Sequence, residues 1–225
     1  MNMPLSQTKT LLHVGAGTAS DARLPAQFRG WHEIRVDIDP ETRPDLVAPM
    51  THMPAVQAGG VDAIWCSHSL EHLSAFEVQP TLKEWLRVLR PDGIALIAVP
   101  DLTQAARLIA AGKEEVTIYS SPAGPVTALD MVFGHGPSIQ HGQPYMRHGT
   151  GFTATRLRRV FAEAGFHQTD VWTEGLNLFG VSYRSQAAWS AYHSRFAAAQ
   201  RPPAPQSSHA PAPRQNVDWE AMSSL

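Results

Sequence analysis

The chain has 225 residues, which is enough for one domain with a sizeable core. Apolar residues make up 43% of it and charged residues 17%, and this balance excludes a wholly disordered protein. Eighteen basic against twenty acidic side chains give a net charge of -2. The sequence therefore offers no overall positive field that would favour a nucleic acid or an anionic membrane as a partner.

Three further features predict a cytoplasmic protein without a membrane partner. The first residues show no basic segment followed by an apolar run, so no signal peptide is visible. No stretch of about eighteen consecutive apolar residues occurs, as a membrane-spanning helix would need. Cys66 is the single cysteine, which excludes an internal disulfide and a CxxC zinc site.

The chain divides into three predicted parts. Residues 1–9 are an N-terminal extension, and residues 10–199 are the folded domain. Residues 200–225 form a tail rich in proline and alanine, for which we expect disorder because it cannot bury enough apolar surface to offset its ordering entropy.

Short apolar runs alternate with helical patterns along the domain. Strands are predicted at 10–14, 34–36, 62–66, 94–99, 166–172 and 178–183. The vicinity of 45–47 allows only a vestigial or displaced strand, because the link before it is short for a parallel crossover. Helices are predicted from about 80 to the Pro91-Asp92-Gly93 stop, from 101 to 111, and from 154 to 164. This order predicts an α/β fold with a largely parallel sheet, whose last two strands can form an antiparallel hairpin.

Residues 113–151 fit neither a strand nor a helix period. A loop of this length in a compact domain is often functional, so we expect a lid over an acceptor pocket. The segment contains His135, His141 and His148, but their spacings match no standard ligand pattern, and no carboxylate or cysteine lies between His135 and His148. The expectation from the sequence is therefore no metal.

A nucleoside site is indicated at the first strand. Gly15-Ala16-Gly17 follows that strand directly, and glycines there let the backbone turn and approach a ligand closely. Asp37 ends the second strand, where a carboxylate can accept both hydroxyls of a ribose. A dinucleotide site would need a third glycine at position 20, where this chain has Ser20, and a long helix in the span that Pro25 interrupts. S-adenosylmethionine is therefore favoured over NAD.

Two stretches carry a family resemblance. They are VDAIWCSHSLEHL at 61–73 and LKEWLRVLRPDGIALIAVPD at 82–101. Together they resemble the class I S-adenosylmethionine-dependent methyltransferases of the type 11 kind, in a small bacterial branch. The resemblance covers roughly residues 11–183. It implies a Rossmann-like, doubly wound, seven-stranded sheet with an antiparallel C-terminal strand, and S-adenosyl-L-methionine as the cofactor.

The resemblance also implies a set of site residues. The predicted cofactor-binding residues are Gly15, Ala16, Gly17, Asp37, Ile38, Met50, Thr51, Ser67 and His68. Glu71 and His72 would stand where cofactor and acceptor meet, and His148 is a further candidate base because histidine titrates nearest neutral pH. We therefore predict His72, His148 and Glu71 as catalytic residues. The alternatives for the two histidines are a helix cap at His72 and a loop anchor at His148, and Asp101 is equally a helix cap or an acceptor-site carboxylate.

The expected function is methyl transfer to a small-molecule or sugar-type acceptor, at oxygen or nitrogen. Two departures from the family pattern support an alternative, because His13 replaces an acidic residue and Pro49 replaces the carboxylate expected near adenine. The alternative is a non-catalytic S-adenosylmethionine-binding, S-adenosylhomocysteine-binding or scaffold protein. An NAD-dependent oxidoreductase is the third possibility. The sequence leaves the oligomeric state open.

Overall fold

The computed structural model describes residues 8–18, 24–121 and 123–196. The predicted tail at 200–225 and most of the predicted N-terminal extension lie outside these residues. Among the residues described, no helix has the length and apolar character that crossing a membrane requires.

Nine strands and six helices are defined in the described part of the chain. The strands are β1 (Thr10–Val14), β2 (His32–Asp37), β3 (Leu46–Val47), β4 (Val61–Ser67), β5 (Leu89–Pro100), β6 (Tyr119–Ser121), β7 (Gly124–Val126), β8 (Gln168–Glu174) and β9 (Asn177–Tyr183). The helices are α1 (Val78–Val88), α2 (Leu102–Ala110), α3 (Ala128–Phe133), α4 (Gly136–Gln140), α5 (Ala154–Ala164) and α6 (Gln186–Phe196).

Seven strands form one sheet in the order β3-β2-β1-β4-β5-β9-β8. The pairs β1 with β2, β1 with β4, β2 with β3 and β4 with β5 are parallel, whereas β9 runs antiparallel to both neighbours. The predicted fold class, a doubly wound and mostly parallel sheet with one antiparallel strand near the C-terminus, is confirmed. Because the parallel strands share a direction, the residues after β1, β2, β4 and β5 meet at one edge of the sheet.

The first two crossovers are unusually short. The link from β1 to β2 contains a single 3-10 turn, Ala26–Phe28, in its described part, and Pro25 caps it. Strand β3 has two residues, and they pair in register with Val36 and Asp37. The sequence predicts a vestigial or displaced third strand, and the two-residue strand β3 is the vestigial form. The eight residues between β2 and β3 leave no room for a crossover helix.

Helix α1 ends earlier than the sequence predicted. Its last residue is Val88, and Leu89 is already extended and pairs with Val61. Pro91 disfavours helical backbone at the residue before it, so the helix closes before Arg90 rather than at the Pro91-Asp92-Gly93 stop. The first residues of β5 therefore include this segment, with a register shift against β4 between Val61 and Ala63.

The two faces of the sheet carry separate hydrophobic cores. Helices α1 and α5 cover one face through Leu82, Trp85 and Phe161. On the other face Phe28, Tyr183 and Ala188 pack together, and helix α6 supplies much of the cover. Helix α6 thus shares this face with Phe28, which comes from the link between β1 and β2.

The predicted loop at 113–151 is largely structured. It contains the hairpin β6–β7 and the helices α3 and α4. Helix α3 is closed by a capping box in which Thr127 and Asp130 satisfy each other's backbone N–H groups. Sequence periodicity missed these elements because none exceeds six residues. We call residues 113–151 the insertion.

Candidate functional site

The glycine turn and Asp37 meet at the carboxyl edge of the sheet. Asp37 Oδ2 accepts a hydrogen bond from the Gly17 N–H at 2.7 Å, and Oδ1 accepts one from Asp39 at 2.9 Å. Each carboxylate oxygen has further lone-pair capacity, so Asp37 can also accept hydroxyl donors. The side chain lies where β1 and β2 end and is 9% exposed, and its role as a ribose-binding acid stays a prediction.

The two glycines differ in what surrounds them. Gly15 has φ +64 and Gly17 has φ +55, and glycine adopts this left-handed region without strain. A Cβ on Gly15 would stand 2.2 Å from Ser69 Oγ, whereas a Cβ on Gly17 would meet no atom of the described residues within 4 Å. Gly15 thus allows close packing against the turn after β4, and Gly17 leaves open space beside Asp37.

The segment predicted to flank adenine borders this turn. The Met50 methyl group lies 3.7 Å from the Cβ position of Gly15. Thr51 is partly buried next to it, and Ile38 is 48% exposed just beyond Asp37. The structure thus brings Met50 close to the glycine turn, while an apolar surface at Ile38 lies open near the same edge.

A carboxylate–guanidinium pair holds this segment on α1. Glu84 Oε1 accepts from the Met53 N–H at 2.7 Å, and Arg87 donates to the carbonyls of Met53 and Val56. Arg87 also donates twice to Glu84, at 2.7 and 2.8 Å. The hydrogen bonds from Arg87 outweigh the cost of burial and lower the pKa of Glu84.

The end of β4 carries an unusual backbone conformation. Ser67 closes the strand, and His68 after it has φ +50, in the left-handed region that non-glycine residues rarely adopt. The His68 N–H still donates to the Ala98 carbonyl at 2.8 Å, so the strained residue stays attached to β5. Such strained positions concentrate at binding and catalytic sites.

Glu71 lies in the next turn and is 1% exposed. The turn is a 3-10 helix, Leu70–His72, which follows directly on Ser69 and its contacts with Gly15. Within the described residues neither carboxylate oxygen of Glu71 accepts a hydrogen bond. Burial disfavours its charge, but the imidazoles of His68, His72 and His148 outweigh that cost and lower the pKa of Glu71.

His72 links this turn to the insertion. Its Nε2 lies 3.1 Å from the His68 carbonyl oxygen and its Nδ1 lies 3.0 Å from the Arg147 carbonyl oxygen. These contacts do not match the helix-cap alternative for His72, because both partners are backbone carbonyl oxygens outside α1.

His148 comes from the insertion and packs edge-on against His72, with ring centroids 4.9 Å apart. Its Nδ1 lies 3.0 Å from the Met131 carbonyl oxygen. His148 therefore anchors the loop, but it does so on α3 rather than on the sheet. Burial lowers the pKa of His148, which favours the neutral imidazole. The N–H groups of Gly149 and Thr150 then donate to the Glu71 carbonyl and fasten the end of the insertion to the same turn.

The other two histidines of the insertion do not join His148. The ring of His135 is bound to Ser138 and the Pro125 carbonyl, and His141 is exposed and bound to Pro137. Asp101 caps α2 by accepting from the Thr103 N–H, which matches the helix-cap alternative.

The first departure from the family pattern has a compensating neighbour. His13 is 3% exposed, and its Nδ1 lies 2.7 Å from Glu33 Oε1 on β2. The carboxylate of Glu33 therefore lies beside position 13, where the family pattern has an acidic residue, although Glu33 comes from β2 rather than β1. Pro49 lies between β3 and Met50 and offers no side-chain donor or acceptor.

Four residues near the candidate site were not predicted from the sequence. Ser69 supports the glycine turn, and the Glu84–Arg87 pair holds the segment predicted to border adenine. Tyr119 on β6 lies near Glu71 of the 3-10 helix. Burial raises the pKa of Tyr119, and the negative charge of Glu71 adds to the shift. Only the Glu84–Arg87 spacing could have been noticed beforehand, as an i, i+3 pair on a predicted helix.

Comparison with known proteins finds a family match over part of the chain. Residues 12–97 match a family model described as "Methyltransferase domain". They include most of β1, all of β2 to β4, most of β5, the glycine turn, Asp37 and the Glu71–His72 turn, whereas His148 lies outside the match. No curated protein matches the sequence.

Solved structures share the fold at low identity. A protein from Pyrococcus horikoshii has 15% identity and a TM-score of 0.54, with 81% of this chain and 84% of that chain covered. An O-methyltransferase family protein from Burkholderia thailandensis has 13% identity and a TM-score of 0.54, with 80% and 52% covered. The CurJ carbon methyltransferase has 16% identity and a TM-score of 0.50, with 82% and 50% covered. The chain thus spans about half the length of the last two proteins, and the likeness establishes the fold.

Proposed function

We propose that this chain, a class I S-adenosylmethionine-dependent methyltransferase, transfers the methyl group to a small-molecule or sugar-type acceptor at an oxygen or a nitrogen atom. The observation that carries the proposal is the placement of Asp37 against Gly17 at the edge where β1 and β2 end. The carboxylate is ordered, retains acceptor capacity, and borders the open space beside Gly17.

The residues around this edge suit the cofactor. When bound, S-adenosylmethionine supplies a methyl group on a positively charged sulfur. Asp37 would accept the ribose hydroxyls, with Ile38 beside it, and Met50 and Thr51 would border the adenine. Gly15, Ala16, Gly17, Ser67 and His68 would line the methionine side. Glu33 beside His13 supports a working site despite the first departure from the family pattern.

The protein's contribution to methyl transfer is mainly to hold the acceptor in line and exclude water. Glu71, His72 and His148 form one cluster where the turn after β4 meets the insertion, and we assign them the catalytic role of preparing the nucleophile. The insertion closes the cluster through Gly149 and Thr150. We also retain the insertion as the acceptor lid, which would favour a small-molecule acceptor.

Location and partners belong to the same proposal. A single free cysteine, buried at Cys66, needs no oxidising compartment, which supports a cytoplasmic enzyme. A net charge of -2 supports a partner other than nucleic acid.

Calorimetry with S-adenosylmethionine tests the cofactor site. We expect micromolar-range affinity for the parent protein and at least tenfold weaker binding for Asp37→Ala, because the ribose would lose its charged acceptor. The matched control is Asp92→Ala, an exposed aspartate near the amino end of β5, which should bind as the parent does. Absence of binding by the parent, or equal losses in both variants, would contradict the proposal.

The second candidate function, a non-catalytic binding or scaffold protein, is favoured by the absence of an adenine-binding carboxylate at Pro49. The two functions differ in turnover. Release of S-adenosylhomocysteine in a screen of hydroxyl and amine acceptors would support the enzyme and exclude the scaffold. Tight cofactor binding with no release across that screen would favour the scaffold.

A further inference from the structure

The carboxylate of Glu71 is the most unusual polar group in the described residues. Both oxygens are inaccessible to solvent, and neither accepts a hydrogen bond. The nearest ring nitrogen of His68 stands 3.5 Å from Oε1, longer than a normal hydrogen bond. Buried charges in proteins are paired with hydrogen-bonding partners or coordinate metals. The fold thus encloses a carboxylate beside imidazole rings, and no described group donates a hydrogen bond of normal length to it.

Two imidazoles complete a set of ligands around this carboxylate. One ligand atom each from Glu71, His72 and His148 lies within 4.8 Å of the other two. The Nδ1 atom of His148 faces the Met131 carbonyl and must donate to it, which leaves the lone pair on Nε2. A backbone carbonyl that orients the second nitrogen is the usual support of a metal-binding histidine.

We propose that Glu71, His72 and His148 bind one divalent transition-metal ion of the zinc type. This inference rests on the proposed function and deepens it, since the ion would sit in the cluster that prepares the nucleophile. Two histidines and one carboxylate form a recurrent set for catalytic zinc and for related divalent metals. Metal bonds of about 2.1 Å place tetrahedral ligand atoms about 3.4 Å apart, so the side chains need close by little more than 1 Å.

Enclosure favours an ion over a larger occupant. An ammonium group of an acceptor would have to reach carboxylate oxygens that have no accessible surface, whereas an ion would be held between the three side chains once they close around it. Both ring nitrogens of His72 face carbonyl oxygens, so the nitrogen that binds the ion must give up its carbonyl while the other donates its N–H. Coordination through Nδ1 would release the Arg147 carbonyl of the insertion and would couple metal binding to the lid.

The proposal narrows the acceptor class. Three protein ligands leave a coordination position open, and a hydroxyl oxygen of the acceptor would take it. A bound zinc-type ion lowers the pKa of such a hydroxyl toward neutral pH. The acceptor would then be an alcohol, phenol or sugar hydroxyl rather than an amine.

This proposal departs from the sequence expectation of no metal. That expectation considered His135, His141 and His148, which the fold separates. The proposed ligands come from two segments more than seventy positions apart, and only the packing of the insertion on the turn after β4 brings them together.

Metal counting tests the site directly. The untagged full chain is stripped with chelator, dialysed against Zn²⁺ alone, and analysed for zinc by mass spectrometry and for thermal unfolding. We expect one zinc per chain and, at a hundredfold excess over the dissociation constant, an unfolding temperature raised by about 5–10 °C. Fewer than about 0.1 zinc per chain would overturn the proposal.

Three variants separate this site from adventitious zinc binding. Glu71→Gln and His148→Gln should bind zinc at least tenfold more weakly, whereas His141→Gln, at an exposed histidine of the same insertion, should bind as the parent does. A cooperative thermal unfolding transition of zinc-free Glu71→Gln, close to that of the zinc-free parent, shows that the fold is intact. Parent-like zinc binding by Glu71→Gln, or an equal loss in His141→Gln, would refute the assignment.

Cofactor calorimetry keeps the two proposals apart. Zinc binding without cofactor binding would uphold the metal site and reject the methyltransferase site. Cofactor binding and methyl transfer that persist unchanged in zinc-free protein would uphold the function and reject a role of the ion in preparing the acceptor.

Discussion

At the scale of single residues, the glycine turn serves two purposes that its sequence pattern does not separate. Gly15 is needed because Ser69 occupies the space where a side chain would begin. Ser69 donates to the carbonyls of Gly15 and Ser67, so it ties the ends of β1 and β4 together. A Cβ on Gly17 would meet no atom of the described residues within 4 Å, which leaves room beside Asp37 in that part of the chain. Gly15 thus serves packing, and Gly17 is the glycine at which we propose that the ligand approaches.

This difference predicts unequal costs for the same substitution. Gly15→Ala should lower the free energy of unfolding by about 2–5 kcal/mol, since left-handed strain adds to overpacking against Ser69. Gly17→Ala carries the strain alone and should cost about 1–2 kcal/mol. Urea unfolding of the two variants measures both values.

A double variant identifies the cause. Ser69→Gly removes both atoms that the new Cβ would meet, so Gly15→Ala combined with Ser69→Gly should be less destabilised than the sum of the single changes. Additive losses would show that the Ser69 contact does not set the cost.

At the scale of elements, α1 positions the segment that borders the cofactor. Segment 48–60 has no regular element of its own, and the Glu84–Arg87 pair takes up the backbone groups of Met53 and Val56. The carboxylate needs its charge to accept from both the guanidinium and the Met53 N–H. Because the pKa of Glu84 is lower in the folded state, the charged form stabilises the fold above the ordinary carboxyl range. That contribution is lost as the pH falls through the lowered value.

We therefore expect Glu84→Gln to reduce the free energy of unfolding by about 1–2 kcal/mol at pH 7. The gap between variant and parent should shrink as the pH falls below 4, when the parent carboxyl becomes protonated. Denaturant titrations from pH 7 to pH 3 measure it. The control is Glu163→Gln, whose exposed pair with Arg159 at 3.7 Å should contribute less than about 0.5 kcal/mol. A gap that stayed constant with pH would exclude the charge as its source.

Elements with strong local signals were predictable. The Thr153 cap and Gly165 stop gave the bounds of α5, and the apolar run of β1 gave all of that strand. The short helices of the insertion were not predictable, because six residues contain too few helical turns to show a periodic pattern of apolar residues. The Glu71, His72 and His148 positions were singled out as candidates, but their mutual contact depends on long-range packing that no local pattern encodes.

At the scale of the whole molecule, the described residues already contain the complete seven-stranded sheet and both of its cores. We therefore expect a chain ending at residue 199 to unfold within about 1 °C of the full chain and to bind the cofactor equally well. Differential scanning calorimetry and cofactor titration of both chains check this. A loss of several degrees would show that residues 200–225 pack on the domain, against the disorder expected of them.

Helix α6 gives the domain an unusual order of completion. It shields apolar side chains such as Phe28 and Trp31 that were synthesised more than 150 positions earlier. While the ribosome is still making the central strands, α6 cannot yet cover that face of the nascent sheet. Burial of these side chains therefore waits until α6 has been synthesised, and a contact between segments so far apart in the chain favours slow folding of this face.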